Sequence, residues 1–196
     1  MIVTEGTKTE PQYFEEIRSE FRLHSANVAV RPSQLGTAPL QVVEYAKQLF
    51  ENGDLSKGVR PRSFDRVYAV FDRDDHGSYF DALAKAESLS GRIKNDVNQP
   101  ISFRAIASVP SFELWLLLHY EDIQAPIHRD EVMLHLKRHL PSYEKGASGS
   151  FHTTRSQLEV STQRAQGLAA MFSAYSAPEP YTAIFELVTL LTTLRS

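Results

Sequence analysis

Val67-Tyr68-Ala69-Val70-Phe71-Asp72-Arg73-Asp74-Asp75 reads as a buried β-strand that runs straight into a D-x-D acid cluster. Val, Tyr and Phe suit a sheet interior, and such a strand has no reason of its own to end in three carboxylates. Acids gathered at one strand end repel each other unless a positive charge sits among them, and a divalent metal ion is the usual solution. A second strand end, Ile2-Val3-Thr4-Glu5-Gly6, offers another carboxylate in the same kind of place.

Working outward, the first half of the chain alternates strand and helix. Strands are expected at Ile2–Thr4, Val28–Val30, Arg66–Phe71 and Ile101–Ile106. Helices are expected at Pro11–Phe21, with Pro11 in the first turn, at Leu40–Phe50 and at Tyr79–Leu89. This rhythm predicts an α/β fold, a Rossmann-like, mostly parallel sheet of about four strands flanked by helices. Ligands of such sheets bind beyond the carboxyl ends of the strands, where Glu5, Asp72 and Asp74 would converge. The second half reads as helical: Phe112–Tyr120, Asp130–Leu140, Thr153–Tyr175 and Tyr181–Leu194, with Lys145–Ser150 a mobile Gly/Ser loop. We therefore expect residues 1–125 to form the catalytic core and residues 126–196 a helical C-terminal cap packed on it.

The remaining composition bounds the function. A chain of 196 residues with 42% hydrophobic content can bury an ordinary core, and the absence of cysteine excludes disulfides and thiolate zinc sites. No secretory signal is expected, because the chain opens on a strand and acids. The longest apolar run, around Leu114–Leu118, is too short to span a membrane. A cytoplasmic protein without a membrane partner follows as the expectation. The net charge of −3 argues against a general nucleic-acid coat but not against a nuclease, whose metal ions offset local acids.

Each candidate has a plain alternative. Asp72, Asp74 and Asp75 can serve a metal or merely cap and face solvent. Gly6 after the first strand lets the backbone turn tightly and a ligand come close. Lys8 can steady a phosphate or remain a solvated loop lysine. Glu10 suits a helix N-terminus on dipole grounds alone. In Ser108-Val109-Pro110-Ser111-Phe112-Glu113-Leu114-Trp115, Ser111 can cap the helix and Glu113 can sit in its first turn, or Glu113 can ligate metal at the same sheet edge. Arg60, Arg62 and Arg66 precede the D-x-D strand; facing the acids they would grip a nucleic-acid backbone, and facing solvent they are loop charge.

Other chemistries are poorly served. His135 and His139 stand four apart on an expected helix, but the Glu of H-E-x-x-H is missing and no third ligand is evident. His119 reads as a packed histidine, and His76, next to the acids, as a surface loop residue by default, with approach to a phosphate as its other use. There is no G-x-S-x-G and no Walker A motif. The stripe on Tyr181–Leu194 reads as core, with docking of a dimer mate or partner subunit as its other use.

The chain resembles the RloB family in three segments. These are an E-G-x-x-T-E-P-x-Y-F opening (Glu5 to Phe14), a strand running into D-x-D (Asp72-Arg73-Asp74), and an S-N-P-x-F-E-x-W-x-x-x-H segment (Ser108 to His119), with Val109 where the family favours Asn. The RloB family is similar in turn to Toprim domains of topoisomerases, primases and OLD-family nucleases. That resemblance implies that Glu5 ligates metal or transfers a proton, and that Asp72 and Asp74 bind Mg²⁺ or Mn²⁺. It makes Glu10, Ser111, Glu113 and Lys145 candidates for the further acid, the S-x-E pair and the downstream lysine of OLD-type nucleases. The implied function is a metal-dependent nuclease cutting DNA or RNA in phage defence or abortive infection, encoded near an ATPase that is a possible partner. Catalysis would rest on Glu5, Asp72, Asp74 and Glu113, with Glu10 as a further metal ligand. Lys8, Arg60, Arg62, Ser111 and Lys145 would hold substrate. The alternative is a non-catalytic nucleic-acid-binding or adaptor subunit of an ATPase-containing defence system.

Overall fold

Five strands and eight α-helices make up residues 1–194, which the structure, a computed structural model, describes. The strands are β1 (Ile2–Thr4), β2 (Val30–Pro32), β3 (Arg66–Asp72), β4 (Ser102–Val109) and β5 (Tyr181–Thr182), in spatial order β2-β1-β3-β4-β5. The helices are α1 (Thr9–Glu20), α2 (Pro39–Asn52), α3 (Tyr79–Leu89), α4 (Glu113–Leu117), α5 (Arg129–His139), α6 (Ser150–Thr154), α7 (Leu158–Met171) and α8 (Ile184–Thr193). β1 to β4 are parallel, so their carboxyl ends share one edge: Thr4 lies opposite Pro32 and Val70, and Asp72 opposite Ser108.

Both faces of this sheet are covered, and β3 accordingly reads as a nearly unbroken apolar run. Its alternation sorts the core into two layers. Val67, Ala69 and Phe71 pack with α2 and α3, whereas Tyr68 and Val70 pack with α1 and α8. Burying a side chain such as Phe71 fully is worth about 1.5–3 kcal/mol, so this strand alone pins the centre of the fold. Across the second layer, the buried Trp115 Nε1 donates to Tyr13 Oη at 2.8 Å, and Tyr13 meets Phe112 and Phe151 edge-on. That buried link ties α1 to α4, two of the helices that begin at the acidic edge.

The structure departs from the expected elements in three places. Tyr181 and Thr182 do not open a helix but form β5, antiparallel to β4, with Thr182 Oγ1 3.0 Å from Ser108 Oγ. A two-residue strand leaves no periodic signal, and the apolar stripe that follows masks it. That stripe is core, since Ile184, Leu187, Val188 and Leu191 of α8 are buried. The single helix expected over Thr153–Tyr175 is broken into α6, a 3₁₀ turn at Arg155–Gln157, and α7. Thr153 and Thr154 hydroxyls donate to the Gly149 and Ser150 carbonyls there, the local competition that makes Thr a poor helix interior. Thirdly, the second strand, expected at Val28–Val30, is formed by Val30–Pro32, and the C-terminal part supplies both β5 and the α8 layer of the sheet.

Candidate functional site

Thr4 ends β1 and Asp72 ends β3, side by side in the centre of the sheet, so the segments leaving them meet at once. Glu5 Oε2 accepts a hydrogen bond from the Asp72 backbone amide at 2.9 Å, which aims the first strand's carboxylate across the second strand's end. Asp74 follows with φ of +32°, a left-handed turn that Asp tolerates better than most residues. Arg73 points away from the acids: its guanidinium lies 5.5 and 5.7 Å from the ring centres of Tyr79 and Phe80, fastening the D-x-D loop to α3. From α1, Glu10 folds back so closely that a Cβ on Gly6 would fall 2.0 Å from Glu10 Oε2, so a larger residue there would displace that carboxylate. From the start of α4 comes Glu113, 3% exposed.

Glu5, Glu10, Asp72, Asp74 and Glu113 thus line one cleft of about 260 Å³, with Lys8, Lys145 and Gly146 on its rim. Five carboxylates drawn from four segments crowd this cleft, and the proton affinity of three of them, Glu5, Glu10 and Asp72, is raised. Burial, and then Glu10 and Asp74, push the Glu5 carboxyl up to about 7, against the partial relief of the Asp72 amide. Burial followed by Glu10, Glu5 and Glu113 pushes Asp72 well above the ordinary carboxylate range. Glu10 is raised by burial and by Glu113, with its own and the Gly6 backbone amides easing the load.

Two cations answer this charge in part. Lys145 Nζ lies 3.2 Å from Glu113 Oε1; burial works against its charge, but the Glu113 carboxylate outweighs burial and raises its pKa. Arg129, at the start of α5, lies 3.2 Å from Asp74 Oδ2. The Lys145–Ser150 loop, which composition marks as mobile, is tied down. Gly146 N donates to Thr9 Oγ1 at 2.9 Å, and Phe151 N donates to Glu16 Oε2 at 2.9 Å.

The predicted residues separate cleanly. Ser111 does not cap α4; its hydroxyl donates to Glu113 Oε2 at 2.8 Å, and Tyr143 Oη donates to Glu113 Oε1 at 3.2 Å, so both hold that carboxylate in place. Arg60 and Arg62 are not at the site. They precede β3 and therefore lie at the opposite edge of a parallel sheet, about 20 Å of strand away. There the Arg62 backbone binds Phe50 and Asp96. His76, whose default reading is a surface loop residue beside the acids, has its Nε2 3.8 Å from Glu5 Oε1. Its position directly after the acids was the available signal.

Among the described residues, Glu5, Asp74 and His76 form a group whose ligand atoms all lie within 4.8 Å of one another. Asp72, Glu10 and Glu113 lie in the same cleft and act on one another electrostatically, with Glu5 acting on Asp72. The donors are hard oxygens with one imidazole, a set suited to Mg²⁺ or Mn²⁺. Asp74 Oδ1 is buried with no hydrogen-bond partner, an orphan that a cation would satisfy. By this test the residues fit a divalent ion.

The other histidines behave differently. His119 is enclosed, its Nδ1 3.0 Å from Trp115 O and its Nε2 3.1 Å from Ser161 Oγ, and burial lowers its pKa to about 4. His135 and His139 do find a carboxylate: Glu121, in the turn after α4, sits 2.8 Å from each. Among the described residues, no helix is long and apolar enough to cross a membrane.

No curated protein and no solved structure shows a significant match to this sequence. The family model described as RloB-like protein matches residues 1–191, nearly the whole length, and the chain belongs to that family.

Proposed function

We propose that the cleft is the active site of a metal-dependent phosphodiester hydrolase, a nuclease of the Toprim type acting on DNA or RNA. The observation that carries this reading is the convergence of Glu5, Glu10, Asp72, Asp74 and Glu113 on one cleft, with a buried Asp74 oxygen left unpartnered. A divalent cation bound among these acids would relieve their mutual repulsion. When bound, Mg²⁺ or Mn²⁺ would polarise the phosphoryl group and stabilise the attacking and leaving oxygens. Asp72 and Asp74 would hold the ion, with Glu5 and His76 beside Asp74 and with Glu10 and Glu113 completing the set. Glu5, whose carboxyl is pushed up to about 7, is poised to take or give a proton at Oε1, the oxygen facing His76. Lys8 and Lys145 on the rim hold the phosphate oxygens, and Ser111 and Tyr143 fix Glu113. The resemblance to OLD-family nucleases, and the defence setting and neighbouring ATPase it implies, are part of the same reading.

A second reading is an adaptor that binds nucleic acid or an ATPase without cutting. It is favoured by the Lys145–Glu113 and Arg129–Asp74 pairs, which neutralise part of the acid charge without any metal. A cleavage assay on plasmid DNA, single-stranded DNA and total tRNA, with Mg²⁺, Mn²⁺ or EDTA, separates the two. Metal-dependent cutting that disappears in Asp72→Asn is the expected result. Cutting that persists in the mutant overturns the assignment.

A further inference from the structure

On the far side of Asp74 lies a second hollow, of about 380 Å³, walled by Arg73, Asp74, Pro110, His128, Arg129 and Pro178. Asp74 lines both this hollow and the acid cleft, so the two share a wall. The position of Arg129 within α5 is unusual. It is the first residue of the helix, where a cation opposes the helix dipole. The dipole is already answered by Asp130 and Glu131 in the same turn. Helix stability therefore does not explain an arginine here, whereas its reach to Asp74 Oδ2, at 3.2 Å, does.

That single contact uses one end of the guanidinium fork. The Arg129 side chain is half exposed, and its Nε stands 4.0 Å from Asp130 Oδ1, beyond hydrogen-bond length. Most of its five donors are thus free, in a planar array that matches a phosphate. A divalent ion bound by Asp74 would compete for the same carboxylate and repel the guanidinium, because both partners carry positive charge.

We infer that Arg129 is a substrate-positioning residue controlled by the metal: it neutralises Asp74 in the metal-free protein, and moves to a phosphate flanking the reacting one when Asp74 takes an ion. This inference rests on the proposed function, since it needs both the ion and a phosphodiester substrate. In this arrangement the hollow guides the nucleic-acid backbone out of the cleft, and the affinity for substrate rises only once the metal is loaded.

The test uses the full chain and two binding readouts. Mn²⁺ affinity is measured by calorimetry, and affinity for a fluorescent oligonucleotide by anisotropy in Ca²⁺ over a range of salt concentrations. Arg129→Ala should bind Mn²⁺ several-fold more tightly, having lost its internal competitor. It should bind the oligonucleotide about tenfold more weakly, with the salt slope reduced by about 1. Arg129→Lys, which keeps the charge but not the fork, should fall between. Unchanged or weaker Mn²⁺ binding in Arg129→Ala overturns the inference, as does an unchanged oligonucleotide affinity or salt slope. Wild-type protein that binds neither Mn²⁺ nor oligonucleotide overturns the functional reading and this inference together; wild-type binding that Arg129→Ala leaves untouched overturns this inference alone.

Discussion

Two clusters of ionisable side chains lie on the same molecule and are built on opposite principles. Around Glu121, one carboxylate meets two imidazoles, each at 2.8 Å, and the set is internally satisfied. Burial alone would raise the Glu121 carboxyl, but His135 and His139 outweigh it and hold it below the ordinary range. In the cleft, five carboxylates share two cationic partners, and Glu5, Glu10 and Asp72 are all pushed upward. The first cluster joins α5 to the end of α4 and needs nothing more. The second is a local conflict that the rest of the fold enforces, which is the usual signature of a site built for something outside the chain.

The strongest way to break this comparison is to titrate the metal-free protein. Glu5 has its carboxyl raised from 4.5 to about 7, so the stability it contributes is complete below pH 4.5 and is lost as pH rises through 7. The loss is on the order of 3 kcal/mol at most. Mn²⁺ or Mg²⁺ at a hundredfold excess over its dissociation constant should restore about 2.7 kcal/mol at pH 8. Thermal melts at pH 5 and 8, with the ion or with EDTA, read this directly; a midpoint at pH 8 indifferent to both ions would erase the contrast.

A sharper version removes one acid. Asp72→Asn should raise the metal-free melting midpoint at pH 8 by a few degrees while abolishing the ion's stabilising effect. A lowered midpoint would mean that Asp72 is needed for packing rather than for an ion. The opposite sign is expected at the other cluster. Glu121→Gln should destabilise by no more than about 1 kcal/mol at pH 7. Because the Glu121 carboxyl is held low, that penalty should fade as pH drops below the ordinary glutamate range. The smallest effect belongs to Arg60→Ala and Arg62→Ala, which should shift stability by less than about 0.5 kcal/mol and leave oligonucleotide affinity unchanged. A clear loss of affinity in either variant would mean that bound nucleic acid extends to the opposite edge of the sheet.

What the sequence reveals here follows from how local each feature is. β3 is a long apolar run with a chemical stop, and the acids at strand ends converge because parallel strands must end on one edge. β5 could not be read, because two residues carry no period and its pairing with β4 is long-range. Arg60 and Arg62 are misleading because closeness in sequence to D-x-D is undone by the length of the strand between. Arg129 and Glu121 carry no local sign of their roles, since each is defined by a partner far along the chain. Of the two readings of Ser111, the capping one fails: the helix start is real, but the hydroxyl serves a carboxylate instead of the backbone.

The hydrogen bond from Gly146 N to Thr9 Oγ1 spans 137 residues. Its consequence concerns the order of events during synthesis. The first acid is made long before the lysine that borders it and the loop that anchors that lysine, and the strand that completes the sheet follows later still. A nascent chain therefore carries the acids without their enclosure, and truncated translation products should lack the assembled cleft.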